Sequence, residues 1–150
     1  MIIREIQELQ AVHYDLLLLA DPDKHLVEDY VKRSICFEAI FDDAAAGILA
    51  LLPTRPETLE IVNIAVDKTY QGQGIGEELL QFALSYAKNN QYKTVEIGTG
   101  STSFGQLYLY QKCGFRMTSI DRDFFIRHYE EEIVENKLIL KDMVRLSIDV

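Results

Sequence analysis

Hydrophobic and polar positions follow two periods along this chain, and the switches between them mark out its elements. Ile2, Ile3 and Ile6 read as a short opening strand; Leu9, Val12, His13, Leu16, Leu17 and Ala20 then recur at the spacing of one helix face. Asp21-Pro22 starts a second helix, since Asp is a good N-cap and Pro suits the first helical position, with Leu26, Val27, Tyr30 and Val31 as its buried stripe. From Ser34 to Phe41 the period drops to two, and Asp42-Asp43 makes a hairpin turn into a strand from Ala44 to Leu52. Pro53-Thr54-Arg55-Pro56 breaks the chain. Leu59 to Val66 is the next strand. The long helix that runs from Gly74 to Asn90 gathers Ile75, Leu79, Leu80, Ala83, Tyr86 and Ala87 on a single face.

Thr94 to Gly98 reads as a short strand, Ser103 to Lys112 as a short helix stopped by Gly114, and Phe115 to Ile120 as another strand. Asp121 to Asn136 is charged and irregular, and Leu138 to Ile148 is a closing strand. This order predicts an α/β chain: a mixed, mostly antiparallel sheet with helices on both faces. With no internal repeat or linker, 150 residues suit a single domain spanning 1–150.

The chemistry concentrates where the strand ending at Val66 meets the long helix. Gln71-Gly72-Gln73-Gly74-Ile75-Gly76 places three glycines at alternate positions, so the backbone can pass close to a bulky ligand. The helix that follows aims unpaired N–H groups at an anion. A Walker loop needs Lys and Ser or Thr after its last Gly, whereas Gly76 is followed by Glu77 and Glu78. The G-x-G-x-x-G dinucleotide pattern also fails, because no Gly stands three residues after Gly74. Alone, such a junction is also met in ligand-free β-to-α turns. Leu109-Tyr110-Gln111-Lys112-Cys113-Gly114-Phe115 supplies a second motif, one helix and one strand further on.

Together, Gln71-x-x-Gly74-x-Gly76 and Tyr110-x-x-x-Gly114-Phe115 resemble the two signatures of the GNAT superfamily of N-acetyltransferases, over Leu59 to Ile120. The resemblance implies the acyl-CoA N-acyltransferase fold and acetyl-CoA as cosubstrate, with no metal. In relatives the corresponding strand splays from its neighbour and pairs with the pantetheine arm, a role that falls on Ile64, Ala65 and Val66, with the Ile64 amide polarising the thioester carbonyl. The amides of Gln71, Gly72, Gln73, Gly74, Ile75 and Gly76 would wrap the pyrophosphate. Tyr110 matches the tyrosine that protonates the departing thiolate, and Ser103 and Gln106, on its helix face, would reach the cosubstrate. Glu60 falls where histone-type members carry a catalytic Glu, with Glu96 or an ordered water as rivals for the base. Relatives often carry Arg or Lys within the glycine loop; here affinity would lean on backbone amides and on Lys68 or Lys112.

The acceptor implied is an amine, first of a small molecule, otherwise a protein N-terminus or lysine; a catalytically silent acyl-CoA-binding module is the reading from another class. A homodimer is the family's common assembly. A net charge of −9 and pI near 4.8 speak against nucleic acid and anionic membrane as partners. The absence of an export signal at the amino terminus suggests a cytoplasmic address. Cys36 and Cys113 read as structural thiols, and His13, His25 and His128 as surface or packing residues without metal-ligand spacing. Phe124, Phe125 and Tyr129 with Glu130-Glu131-Glu132 read first as an ordinary solvated charge run, with an aromatic and acidic mouth for a cationic acceptor as the alternative.

Overall fold

A computed structural model describes residues 1–150, which run β1 (Ile2–Glu5), α1 (Ala11–Ala20), α2 (Lys24–Val31), β2 (Ile35–Phe41), β3 (Ala44–Arg55), β4 (Thr58–Val66), α3 (Ile75–Asn89), β5 (Thr94–Gly100), α4 (Phe104–Lys112), β6 (Arg116–Asp121), α5 (Phe124–His128), β7 (Val134–Glu135), β8 (Leu138–Ile139) and β9 (Met143–Asp149). Seven strands share one sheet in the order β1, β2, β3, β4, β5, β9, β6, while β7 and β8 pair with each other. Every neighbouring pair is antiparallel except β4 and β5. That one parallel pair is bridged by α3, the crossover that parallel pairing demands.

Alternation along the strands decides what each face packs on. Phe37, Leu49, Leu59, Ile61, Val95, Ile97, Val144 and Leu146 meet Leu79, Leu80 and Ala83 of α3 and Tyr110 of α4 in the larger core. On the other face, Leu16 and Leu17 of α1 and Val27 and Val31 of α2 pack on Cys36, Ile48, Ala50 and Ala65. There α1 lies on β3 and β4. The strands beyond turn polar side chains outward, Glu96 from β5 and Arg145 from β9, each standing between two core residues.

Three expectations need correction. The cap of α2 is Asp23, whose carboxylate accepts from the Leu26 amide at 3.0 Å. Asp21 instead accepts hydroxyl hydrogen bonds from Tyr30 at 3.1 Å and Tyr129 at 2.8 Å, which pins the start of α2 to the far end of the chain. Second, β3 runs through Pro53 to Arg55. Pairing with β2 ends at Leu51, so Pro53 stands on a stretch of β3 that pairs with β4 alone, and its missing N–H costs that stretch no second ladder. Third, the segment read as irregular holds α5 and β7, and the expected closing strand divides into β8 and β9. Asn136 and Lys137, at φ 54° and 65°, make the tight turn between β7 and β8.

Of the register shifts in the sheet, one lies beside the β4–β5 junction. Leu51 pairs with Ile61 but Ala50 with Asn63, which leaves Val62 as an extra residue in β4. Such a bulge bends its strand and breaks the ladder locally.

Candidate active site

The bulge stands where β4 and β5 separate. Their pairing runs from Thr58 with Thr94 to Ile61 with Ile97 and goes no further. Beyond it β4 stays with β3 as far as Val66, and β5 stays with β9 as far as Gly100. The β5-facing edge of Ile64, Ala65 and Val66 therefore has no strand partner, and backbone donors and acceptors there call for one. An extended arm carrying amides could supply one as an added strand.

The loop after β4 continues this opening. Asp67 caps a short 3-10 turn, Lys68–Tyr70, by accepting from the Thr69 amide at 2.8 Å. Gln71 donates its side-chain amide to the Val66 carbonyl at 3.1 Å, tying the loop to the strand end. Gly72 and Gly74 both sit at φ +81°, with nothing within 4 Å of where a Cβ would stand, so left-handed backbone rather than crowding requires glycine at both. Gly74 is the N-cap of α3, and no side chain caps that helix. Its first amides thus stay open towards the solvent side, where the helix dipole favours an anion.

A cavity of about 370 Å³ joins these parts, a size suited to a ligand of cofactor dimensions. It brings together Ile64, Ala65, Val66, Gln71, Gly72, Gly74, Ile75, Gly76, Gln106 and Tyr110 from the residues singled out in the sequence. Gln73 is exposed on the same loop and lies outside the lining. Ser103 is outside it as well: its hydroxyl donates to Glu135 at 2.6 Å, and Glu135 also accepts from Thr102 at 3.2 Å. These bonds seat the β7–β8 hairpin on the loop after β5. The first turn of α3 is acidic, with Glu77 and Glu78, but Lys112 of α4 pairs with Glu77 at 3.3 Å and moderates that charge at the cavity rim. Lys68 is exposed beside the loop.

Tyr110 lines the cavity and is 5% exposed, with Phe115 6.2 Å from its ring. Burial drives its phenol pKa far upward, so the group keeps its proton. The same burial would raise the pKa of a thiolate formed beside it, which keeps proton transfer between the two feasible.

Glu60 and Glu96 are register partners on β4 and β5. Glu96 is committed to an ion pair with Arg55. Glu60 makes no hydrogen bond within the chain, and burial raises its carboxyl pKa, against the pull of Arg145 and Arg55 and with the push of Glu96. Its side chain is not part of the cavity wall; it stands one residue before the last β4–β5 pair, on the face opposite α3.

Sequence reasoning missed the bulge, although its signal is present: the apolar positions Leu59 and Ile61 change phase to Val62, Ile64 and Val66. It also missed Leu19 and Ala20 of α1, Tyr70 and Leu109 as cavity lining, since none belongs to a motif. Nor did it find Asn63, whose side-chain NH2 donates to the Leu17 carbonyl and the Tyr30 hydroxyl, each at 2.9 Å, and so clamps α1 and α2 on the opened strand.

A sheet opened at its one parallel pair, with a glycine-capped helix at the mouth of the gap, is the arrangement that the resemblance to acyl-CoA-dependent transferases implies. The chain belongs to the GNAT acetyltransferase family, whose profile matches residues 3–115. It is 54% identical over 136 residues to the uncharacterized N-acetyltransferase YvbK of Bacillus subtilis, covering 91% of this chain and 88% of that protein. A Bacillus subtilis acetyltransferase crystallised in complex with CoA superposes with a TM-score of 0.95 at 51% identity, over 99% of this chain and 97% of the other. A GNAT family acetyltransferase from Elizabethkingia anophelis with acetyl-CoA bound gives 0.95 at 44% identity, again over 99% and 97%. The chain is accordingly an acetyl-CoA-dependent N-acetyltransferase of the GNAT fold. The open amides of the glycine loop, the edge of β4 without a strand partner and the cavity between them fit that cosubstrate. No helix is long and apolar enough to cross a membrane.

Proposed function

We propose that this chain, acting as one domain in the cytoplasm, transfers the acetyl group of acetyl-CoA to the primary amine of a small molecule by direct attack. The observation that carries this reading is the end of β4–β5 pairing at Ile61 and Ile97, in the same core as the buried Tyr110 that lines the cavity. In the proposed reaction the edge of Ile64 to Val66 holds the pantetheine arm, and the amides from Gln71 to Gly76 hold the pyrophosphate. Acetyl-CoA supplies an activated acyl carbon. Glu60, directly or through a water, takes a proton from the acceptor ammonium, and the freed nitrogen bonds to that carbon as the carbon–sulfur bond breaks. The Ile64 amide stabilises the carbonyl oxygen, Tyr110 gives its phenolic proton to the sulfur, and the second proton leaving the attacking nitrogen restores the phenol. Glu60 is favoured over Glu96 as the base because Glu96 is taken by Arg55.

A small acceptor is supported by enclosure from two directions. The β7–β8 hairpin is fastened to the loop after β5 through Glu135, and Tyr129 reaches across to Asp21 at the end of α1. A homodimer is the assembly we carry forward, with the open edge of β6 as its supporting feature. The test is release of free thiol from acetyl-CoA over a panel of amines. Tyr110→Phe is expected to lower kcat by about a hundredfold while the KM for acetyl-CoA holds. Turnover intact in that variant overturns the assignment of the acid. Coenzyme A binding without thiol release for any amine or peptide overturns the enzymatic reading in favour of a binding module.

A further inference from the structure

One basic side chain near the split is left without a partner. On the sheet face opposite α3, Arg55 is paired with Glu96. Arg145 projects from the same face, between core residues Val144 and Leu146, and is half-buried with no carboxylate within 4.0 Å. Its register partner on β5 is Gly98, the first residue of β5 beyond the last pair with β4. Glu60 stands on the other side of that same boundary, one residue before the pair Ile61 with Ile97. A guanidinium and a carboxylate thus flank the apex of the opening, on the sheet face opposite α3.

We propose that the acceptor is an α-amino acid, or a small amine bearing a carboxylate in the same relation, whose carboxylate is held by Arg145 while its nitrogen faces Glu60. This rests on the acetyl-transfer reading above and adds the class of amine. The planar fork of a guanidinium matches a carboxylate in two parallel hydrogen bonds, which a plain amine cannot use. The net charge of −9 would repel an anionic acceptor, but a zwitterion carries no net charge and is not turned away. The competing role for Arg145 is to balance the charge of Glu60, and that role gives no preference among amines.

The experiment follows thiol release from acetyl-CoA with L-amino acids, each against its matching decarboxylated amine. The wild-type chain is expected to favour the amino acids by roughly tenfold or more in kcat/KM, since a site built for a polar group discriminates against the analogue lacking it. In Arg145→Met that ratio falls towards one through a raised KM for the amino acids, and Arg145→Lys restores part of it. Calorimetric binding of coenzyme A certifies that each variant is folded; should Arg145→Met fail this, the wild-type ratio alone decides. Equal or better turnover of the plain amines, or an equal loss for both classes in Arg145→Met, overturns the proposal and leaves Arg145 as a charge-balancing group. Coenzyme A binding with no amine acetylated at all overturns the acetyl-transfer reading and this inference together.

Discussion

At Glu60, burial raises the carboxyl pKa, Arg145 and Arg55 lower it, and Glu96 raises it again, with a net upward shift. A base must be ionised to work, so a raised pKa moves the acid limb of the rate profile to higher pH. The expected kcat profile, measured at saturating acceptor, rises through a pKa above the ordinary glutamate range and then levels. Tyr110 holds its proton well beyond that range and adds no alkaline decline. Glu60→Gln should remove the limb and cost about a hundredfold in kcat; an unshifted limb in this variant assigns the titration to another group. Much of the site was readable from single residues because the proposed grip on the cosubstrate is by main chain, and glycines advertise where the main chain must come close. Ser103 was not readable in the same way. Its partner, Glu135, arrives from a hairpin whose position no local pattern encodes.

Among the elements, the glycine loop separates two requirements that the sequence presents as one motif. Gly74 needs left-handed backbone, whereas a Cβ on Gly76 would meet Leu109 and Val66 at 3.6 and 3.8 Å, ordinary contact distances. Gly74→Ala should therefore weaken coenzyme A binding and cost about 1–2 kcal/mol of stability, while Gly76→Ala keeps its stability, as calorimetry and thermal melts would report. On the other side of the sheet, α1 is anchored through His13, whose Nε2 lies 2.8 Å from Glu38 Oε1 while its Nδ1 accepts from the Gln10 amide at 2.8 Å. Burial alone would raise the Glu38 pKa, but hydrogen bonds and charge from His13 and Arg4 outweigh it and the net shift is downward. A lowered pKa contributes stability above the ordinary glutamate range and loses it as pH falls through the lowered value. Glu38→Gln should accordingly reduce Tm at neutral pH, with the gap from wild type closing in acid. The period of apolar residues gave these helices and strands readily, but not α5, which is one turn and a half long and carries no face to read.

For the molecule as a whole, the order of elements was legible while the order of strands was not. Pairing of β5 with β9, and of β9 with β6, joins segments far apart in sequence, and nothing local specifies them. That topology leaves β6 at an edge with Met117 and Ile120 53% and 62% exposed. An open apolar edge invites a second copy. An antiparallel two-fold pairing would set Arg116 across from Asp121 of the partner subunit and Met117 across from Ile120 of the partner subunit. Sedimentation velocity should then find a dimer that Ile120→Lys converts to monomer; a monomeric wild type removes β6 as an interface.

The extra residue at Val62 carries a consequence for how such a slot can be altered. Because the gap comes from a miscount between two ladders, no replacement of a side chain can shut it, and neither can tightening a loop. Removing Val62 could: β4 would run on against β3 without the bend, while Asn63, Ile64, Ala65 and Val66 would keep their partners Ala50, Leu49, Ile48 and Gly47 and so keep their faces. The asparagine clamp on α1 and α2 would stay in place, and the chain would lose the slot alone. Evolution can exchange what is lodged around this opening while the opening itself persists, provided the count is kept.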